Sequence, residues 1–473
     1  MNRQSSITIE RTRYARQDCK IGLVHLGFGA FHRAHQAVYV DDYMDQTGDL
    51  NWGIAAVNLR GEEASSFAEL AGDDDGYLLK TTTPEGVSTF RMVRSHVHFA
   101  DWSQDMMAAE DLLSQSSVKA VSMTVTESGY YLNDDWSLNV DDPIITEEIA
   151  GGAKRSVYAY LAAALKQRME RLGEPITVLC CDNIRSNGHK LERNFKAYLK
   201  ATGNSELATW LDTNATFPNS MVDRITPRAT DALRNEISAI APQHMQSVIH
   251  GESFIQWVLE DSFAAEMPAL DKAGVEIVED VDPYEEAKIR ILNGGHTALC
   301  YLGALAGLQT FDQAMNDPRL RKHFDGIETE NILPGLTLDL PFDKNAYRDL
   351  IAERFSNAAI ADDLGRICMD GWSKFPIFIR PTMKSCLAQG ISPTWCYDSI
   401  ASWYVYARRF ANGQTDITYV EPYWEQLKPL LDAGQEEAFA GLDALWSDLP
   451  KTFDEFVPQL VAAIERVEDT WPI

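Results

Sequence analysis

The chain has 473 residues, 45% of them hydrophobic, and its 11 tryptophans are spread along the whole length. That is enough apolar material for two separate cores, so a disordered chain is excluded and two domains are expected. The formal charge of −28 excludes nucleic acid or an anionic membrane as the main partner, because both require a basic surface. Solubility, in the extreme case a saline habitat, is the simplest reading of that charge. An anionic cofactor would have to be held by local donors such as glycine-loop amides, a helix N-terminus, Arg33 or His32.

Residues 1–20 are polar and mixed in charge and lack the apolar core of a signal peptide. Ile21–Leu26 reads as a short buried strand, closed by the glycine turn Gly27-Phe28-Gly29, and a helix is expected over 32–44. Gly53–Asn58 reads as a second strand and Gly76–Thr81 as a third. The acidic run Asp73–Asp75 reads as a solvated loop. Val118–Val125 and Ile176–Cys181 are apolar, β-branched runs typical of central parallel strands. Helical periodicity over 156–172 and 190–201 separates them, and such alternation predicts a doubly wound α/β sheet.

From about Tyr284 the strand signals fade. Helices are expected over 286–307, 347–356, 361–369, 394–410 and 453–469. The domains are therefore residues 1–283, a doubly wound α/β fold, and 284–473, a mostly helical domain. The longest apolar run, 297–308, falls short of the ~20 residues of a membrane span. The seven cysteines include no C-x-x-C pair. Cys180 and Cys181, adjacent in a strand, face opposite ways, which fits reduced thiols and a cytoplasmic location.

Gly27-Phe28-Gly29-Ala30-Phe31-His32 is a dinucleotide-type turn whose third glycine is replaced by His32. An ordinary strand-to-helix turn has the same appearance, but two glycines still let backbone approach a pyrophosphate at a helix N-terminus. Glu62 and Glu63 lie beyond the second strand, somewhat farther than usual for a ribose-binding carboxylate. If either faces the ribose it repels a 2′-phosphate and favours NAD, although Arg60 nearby pulls the other way. His32 and His35 have no accompanying cysteine or carboxylate pattern, so no metal site is expected.

Thr124–Tyr130 and Cys181-Asp182-Asn183 follow strand ends, where open α/β sheets bind ligands. Asn183 is thus a candidate donor, and a plain turn is the alternative. Asp223-Arg224 reads as a structural salt bridge or, alternatively, as an Asp223 contact to a substrate hydroxyl.

Lys288, Asn293 and His296 fall within nine residues of an otherwise apolar helix. At ~100° per residue, Asn293 lies roughly 140° and His296 roughly 80° around from Lys288, a broad shared face. Taking hydride from an alcohol carbon needs a base for the hydroxyl proton and donors for the developing alkoxide. These three side chains supply both without a metal. An ordinary Lys has a pKa near ~10.4, so burial or nearby cations must lower it, and Arg290 and Arg366 are candidate cations.

Six blocks in order resemble the long-chain polyol dehydrogenase family, that of mannitol 2-dehydrogenase, D-arabinitol 4-dehydrogenase and fructuronate reductase. They are Gly27–Ala37, Thr124–Tyr130, Cys181–Asn183, Phe217–Pro227, Gln256–Glu260 and Lys288–His296. The resemblance covers nearly the whole chain. It implies a metal-independent NAD-linked oxidation of a polyol to a ketose, with Lys288 as general base. Asn183 and Asn293 would polarise the oxygen, and His296 would orient the substrate.

The same resemblance implies Asp223, Arg366 and Lys374 as further substrate contacts, Glu62 and Glu63 as the acidic pair of NAD preference, and a monomer. The likeness is greatest to the D-arabinitol 4-dehydrogenases, through Ile54–Asn58, Gly129–Asn133, Gly251–Trp257 and Pro283–Asn293, so conversion of D-arabinitol to D-xylulose is expected. Mannitol oxidation or fructuronate reduction is the alternative within the family, and a non-catalytic NAD(H) sensor lies outside it. Gly294-Gly295 stands where Ala-Ser is expected and Phe217 where Cys is, changes that would loosen the pocket.

Overall fold

The computed structural model describes residues 8–73, 75–133, 135–415 and 417–471. The first seven residues of the polar N-terminal stretch and Asp74 of the acidic run lie outside the described residues. The chain forms two compact units, Met1–Thr83 with Val87–Asp282, and Pro84–Gly86 with Pro283–Ile473.

The first unit is organised by a six-stranded, all-parallel sheet. Its spatial order is His96–Asp101, Gly53–Asn58, Ile21–Leu26, Ala120–Met123, Ile176–Cys180 and Ala215–Thr216. Numbered by chain position within the sheet this is 3-2-1-4-5-6, the dinucleotide-binding order. It leaves a crevice where the strand order reverses, between Ile21–Leu26 and Ala120–Met123. The central strands are buried on both faces, which is why they read as continuous apolar runs. Cys180 packs into one core cluster and Cys181 into another, as alternation along a strand requires. All seven cysteines are free thiols.

Several elements differ from the sequence expectation. The helix expected over 32–44 is two helices, Ala30–Ala34 and Gln36–Thr47, broken at His35, whose φ is −123° and ψ −93°. There the His35 imidazole is drawn out of line by the Gln256 carbonyl, 2.8 Å from Nε2. Tyr77–Thr82 is a strand, but not of the main sheet. It pairs antiparallel with Ser88–Val93 and parallel with Ile249–Glu252 in a second, four-stranded sheet. The third parallel strand is instead His96–Asp101, an edge strand whose polar residues hid it. A third sheet joins Ser220–Asp223, Gln256–Glu260 and Glu276–Val278. Asp73 and Asp75 are not simply solvated: His244 Nδ1 lies 2.5 Å from Asp73, and Asp75 pairs with Arg94.

The second unit is helical. Thr394–Ala411 packs against Gly294–Leu305 and Phe456–Thr470 around a core with Tyr301, Trp403, Tyr404, Tyr406 and Trp446 fully buried. Each such aromatic contributes roughly 1.5–3 kcal/mol by burial. The helix expected over 361–369 shrinks to Leu364–Ile367, capped by Asp363. No helix among the described residues is long and apolar enough to cross a membrane.

Candidate active site

In the first unit the glycine turn sits at the carboxyl end of Ile21–Leu26. Gly27 has φ +105°, a conformation that L side chains rarely adopt, and its N–H donates to the Val57 carbonyl at 2.7 Å. A Cβ built on Gly29 would meet nothing within 4 Å, so the backbone there faces open space. That opening, beside the strand-order reversal, fits the diphosphate of a dinucleotide. Ala30 and Phe31 begin the helix. Phe28 packs edge-on against Phe67, Tyr77, His96 and Phe99, with the Arg33 guanidinium 4.9 Å from its ring centre.

His32 stands where a third glycine would bring helix and sheet close. The gap is filled by stacking: its ring lies 3.3 Å from that of His25 on the first strand, at an interplanar angle of 7°. His32 Nε2 is 3.0 Å from His96 Nε2, so one ring donates and the other accepts, and His32 Nδ1 is 3.2 Å from Gln36 Oε1. Burial holds all three imidazoles neutral, with His32 pushed down to about 3. These histidines pack the nucleotide fold. Among the described residues no group of His, Cys, Asp and Glu is arranged to hold a metal ion.

Glu62 and Glu63 lie on the exposed turn Gly61–Glu63 that follows the second strand. Asn58 folds this loop back, donating to the Arg60 carbonyl and accepting from the Arg60 N–H. Arg60 is itself 3.4 Å from the Glu63 carboxylate, so its charge is partly matched. Asn183 is exposed just past Ile176–Cys180. Asp223 ends the strand Ser220–Asp223 and is buried. The expected Asp223–Arg224 bridge does not describe Arg224, whose guanidinium donates instead to the Glu252 and Ala34 carbonyls.

In the second unit Lys288–Asn293 is a π-helix inserted between Asp282–Ala287 and Gly294–Leu305. This changes the geometry read from the sequence. An i→i+5 ladder turns roughly 82° per residue, which brings Asn293 to about 50° from Lys288. Three α-helical steps then carry His296 to about 10° on the other side of Lys288. The π segment narrows the expected 140° face to about 60°. Lys288 is buried and Asn293 partly exposed.

His296 lies between two aromatic rings, Phe311 edge-on at 4.3 Å and Phe355 stacked at 4.9 Å. Burial pushes its imidazole down to about 3, against the opposing pull of Asp362, so it is neutral at physiological pH. Asp362 Oδ2 is 3.9 Å from His296 Nε2, beyond hydrogen-bond reach, and Asp362 Oδ1 accepts from Arg366 Nε at 3.0 Å. Lys374 Nζ donates to the Ile367 carbonyl at 2.7 Å. The structure thus gathers His296, Arg366 and Lys374, and adds Asp362 and the two phenylalanines. No local signal links those three to His296, which lies far from them in the chain.

Two sequence expectations are corrected here. Arg290 does not lend a bare positive charge to the site, because it is buried in an ion pair with Glu286 at 3.0 Å and also donates to Thr382 and the Gly335 carbonyl. Arg366 is likewise matched by Asp362. Gly295 does not loosen a pocket either. A Cβ there would come within 2.5 Å of Glu328 Oε1 and 2.9 Å of Phe324, so the missing side chain's space is already filled. Glu328 is fully buried, and burial holds its carboxyl well above the usual carboxylate range. Phe217, in place of the expected Cys, is buried in the core of the first unit.

Taken with the sheet order, the open turn defines a class: a protein with a Rossmann-type dinucleotide-binding fold. Comparison with known proteins narrows this. The mannitol dehydrogenase Rossmann domain matches residues 21–272, and the mannitol dehydrogenase C-terminal domain matches residues 280–468. The chain belongs to the mannitol dehydrogenase family and is a polyol dehydrogenase. It is 37% identical to a D-arabinitol 4-dehydrogenase of Ralstonia nicotianae over 94% of this chain and 96% of that one. It is 35% identical to a polyol:NADP oxidoreductase of Gluconobacter oxydans, over 95% and 93%. A ternary complex of Pseudomonas fluorescens mannitol 2-dehydrogenase with NAD and D-mannitol superposes with a TM-score of 0.83 at 32% identity, covering 98% of this chain and 94% of that one. The family uses NAD or NADP.

Proposed function

We propose that the chain oxidises D-arabinitol to D-xylulose with NAD, and catalyses the reverse reduction, without a metal ion. The observation that carries this reading is the single helix face that presents Lys288, Asn293 and a neutral His296. Residues 1–283 would hold the dinucleotide and 284–473 carry out the polyol chemistry. The bound nicotinamide supplies the hydride acceptor. Gly27–His32 would lie along its diphosphate, and Glu62 and Glu63 would accept from the adenosine ribose hydroxyls and repel a 2′-phosphate.

Lys288 takes the proton of the reacting hydroxyl. Asn293 and Asn183 donate N–H to the same oxygen as negative charge develops there, each worth ~3 kcal/mol by analogy with other oxyanion donors. His296, neutral and fixed between Phe311 and Phe355, has one ring nitrogen to donate and one to accept, which suits orienting a polyol. Asp223 accepts from a second hydroxyl, and Arg366 and Lys374 line the far end of the substrate. Identity of 37% to a D-arabinitol 4-dehydrogenase supports the choice of substrate.

A uronate needs a cation for its carboxylate; Arg366 is matched by Asp362, so a preference for fructuronate would point to Lys374, whose Nζ donates to the Ile367 carbonyl. The test is a kinetic screen of D-arabinitol, D-mannitol and D-altritol with NAD and NADP, and of fructuronate with NADH, each with and without a chelator. The highest kcat/KM is expected for D-arabinitol with NAD, unchanged by chelation. A higher value for mannitol would overturn the substrate, a preference for NADP the cofactor, and loss of activity on chelation restored by zinc the chemistry.

A further inference from the structure

Four of the seven non-glycine residues with positive φ among the described residues are Thr126, Tyr131, Trp136 and Ser186. All four follow two adjacent strands, Ala120–Met123 and Ile176–Cys180, at their carboxyl ends. Thr126 is strained: φ 67° with ψ 162° is a region occupied essentially by glycine alone. It lies at the strand-order reversal, two residues past Thr124, whose Oγ1 is 3.1 Å from His25 Nε2 on the first strand.

Thr126 is held there by the Asp182 carboxylate. Asp182 Oδ2 accepts from the Val125 N–H and Asp182 Oδ1 from the Thr126 N–H, both at 2.9 Å. Tyr130 Oη donates to the same carboxylate at 2.5 Å and lies 3.0 Å from Cys180 Sγ. The Tyr130 carbonyl accepts from Tyr158 Oη, and the Asp182 carbonyl accepts from Asn187 Nδ2 and from the Ile184 N–H. Asp182 and Tyr130 are both buried, and the residue after Asp182 is Asn183. One carboxylate therefore fixes two strand-end loops together, one strained and one bearing the carboxamide assigned to the reacting oxygen.

We propose that Asp182 and Tyr130 form a positioning clamp that holds Thr126 in its strained conformation and fixes Asn183 for the reaction. The clamp deepens the function proposed above and rests on it for the role of Asn183. A carboxylate with two backbone N–H bonds and a phenol bond has little freedom to move, so the loop pair is organised before substrate arrives. Strain stored at Thr126 is the cost of that order, offset by the three bonds to Asp182.

The experiment compares Tyr130→Phe, Asp182→Asn, Thr126→Gly, Thr126→Ala and Asn183→Ala in the full-length protein. It measures kcat, KM for polyol, the NADH dissociation constant and Tm. Tyr130→Phe is expected to lower kcat about tenfold and Asp182→Asn about 100-fold, with NADH affinity within about twofold of the parent. Tyr130→Phe removes one hydroxyl and keeps both backbone bonds, so it reports even if Asp182→Asn does not fold. Glycine normally destabilises relative to alanine, but here Thr126→Gly is expected to melt at or above Thr126→Ala while turning over more slowly than the parent.

Unchanged kcat in Tyr130→Phe, or a Tm for Thr126→Gly below that of Thr126→Ala by the usual margin, overturns the clamp. Loss of NADH binding in parallel with kcat also overturns it, since a general structural defect would produce that result. Asn183→Ala separates the two claims. If that variant keeps its kcat, the role of Asn183 fails, while the order of the two Thr126 variants still decides whether Asp182 holds strain.

Discussion

The two units build their parts of the chemistry by different means. In the first, the groups proposed to face ligand all lie on loops at strand ends: the turn at Gly27 and Gly29, the loop at Glu62 and Glu63, and Asn183 beside the strained Thr126. In the second, the proposed base and donors are side chains of one helix, whose backbone changes pitch over Lys288–Asn293. A dinucleotide is long and anionic, and peptide N–H groups at the carboxyl ends of strands suit it. Proton transfer needs a base and donors that converge on one atom, and a π turn narrows a helix face without altering its residues.

The contrast predicts that losses on the Lys288–His296 helix fall on turnover, as do losses at the Asp182 clamp that fixes Asn183, whereas losses at the glycine turn and at Glu62 and Glu63 fall on the cofactor. The largest effect is expected from Lys288→Ala, which should lower kcat by about 10³-fold, while NADH binding measured by fluorescence stays intact. Asn293→Ala should follow with about 100-fold, again in kcat. On the other side of the comparison, Glu62→Lys combined with Glu63→Ala should raise kcat/KM for NADP by about tenfold relative to NAD, with polyol KM little changed. No gain with NADP would remove both carboxylates from the ribose.

Smaller effects probe packing behind the helix. Gly295→Ala should cost about 2 kcal/mol in urea unfolding, because its Cβ runs into Glu328 and Phe324. Glu328→Ala in the same chain should recover part of that loss, giving a non-additive double-mutant cycle. Strict additivity would show that Glu328 does not fill the space behind Gly295.

An effect of similar size concerns a buried histidine outside the site. Burial pushes His323 down to about 3, and Ser399 Oγ is 2.8 Å from its Nε2. Its folded pKa lies below the unfolded value, so its contribution to stability is present in full above about pH 6.5 and is lost as pH falls toward 3. Between pH 7 and pH 5 that loss is about 2 kcal/mol, and His323→Gln should lose less than the parent by that amount. Equal losses would mean that His323 is not held neutral by the fold.

Much of this organisation was legible in the sequence, and the exceptions have physical causes. Strands buried on both faces, such as Gly53–Asn58 and Ile176–Cys180, announce themselves as apolar runs. His96–Asp101 did not, because an edge strand alternates polar and apolar residues and carries two histidines. Lys288, Asn293 and His296 were visible as residue types, but a helical wheel assumes one pitch, and the π turn breaks that assumption. Asp362, Glu328 and the Asp182–Tyr130 pair were missed because each acts across the fold on a residue far from it in the chain. Gly294-Gly295 was misjudged for the same reason, since the space left by a missing side chain is defined by its neighbours.

The central claim is that the Lys288 amine takes the proton in the step that releases hydride, and chemical rescue tests it most directly. Turnover of Lys288→Ala should be restored in part by small primary amines, with a rate that rises with amine concentration and basicity. Near-parental turnover of that variant without amine, or no rescue by any amine while NADH binds normally, would contradict the account.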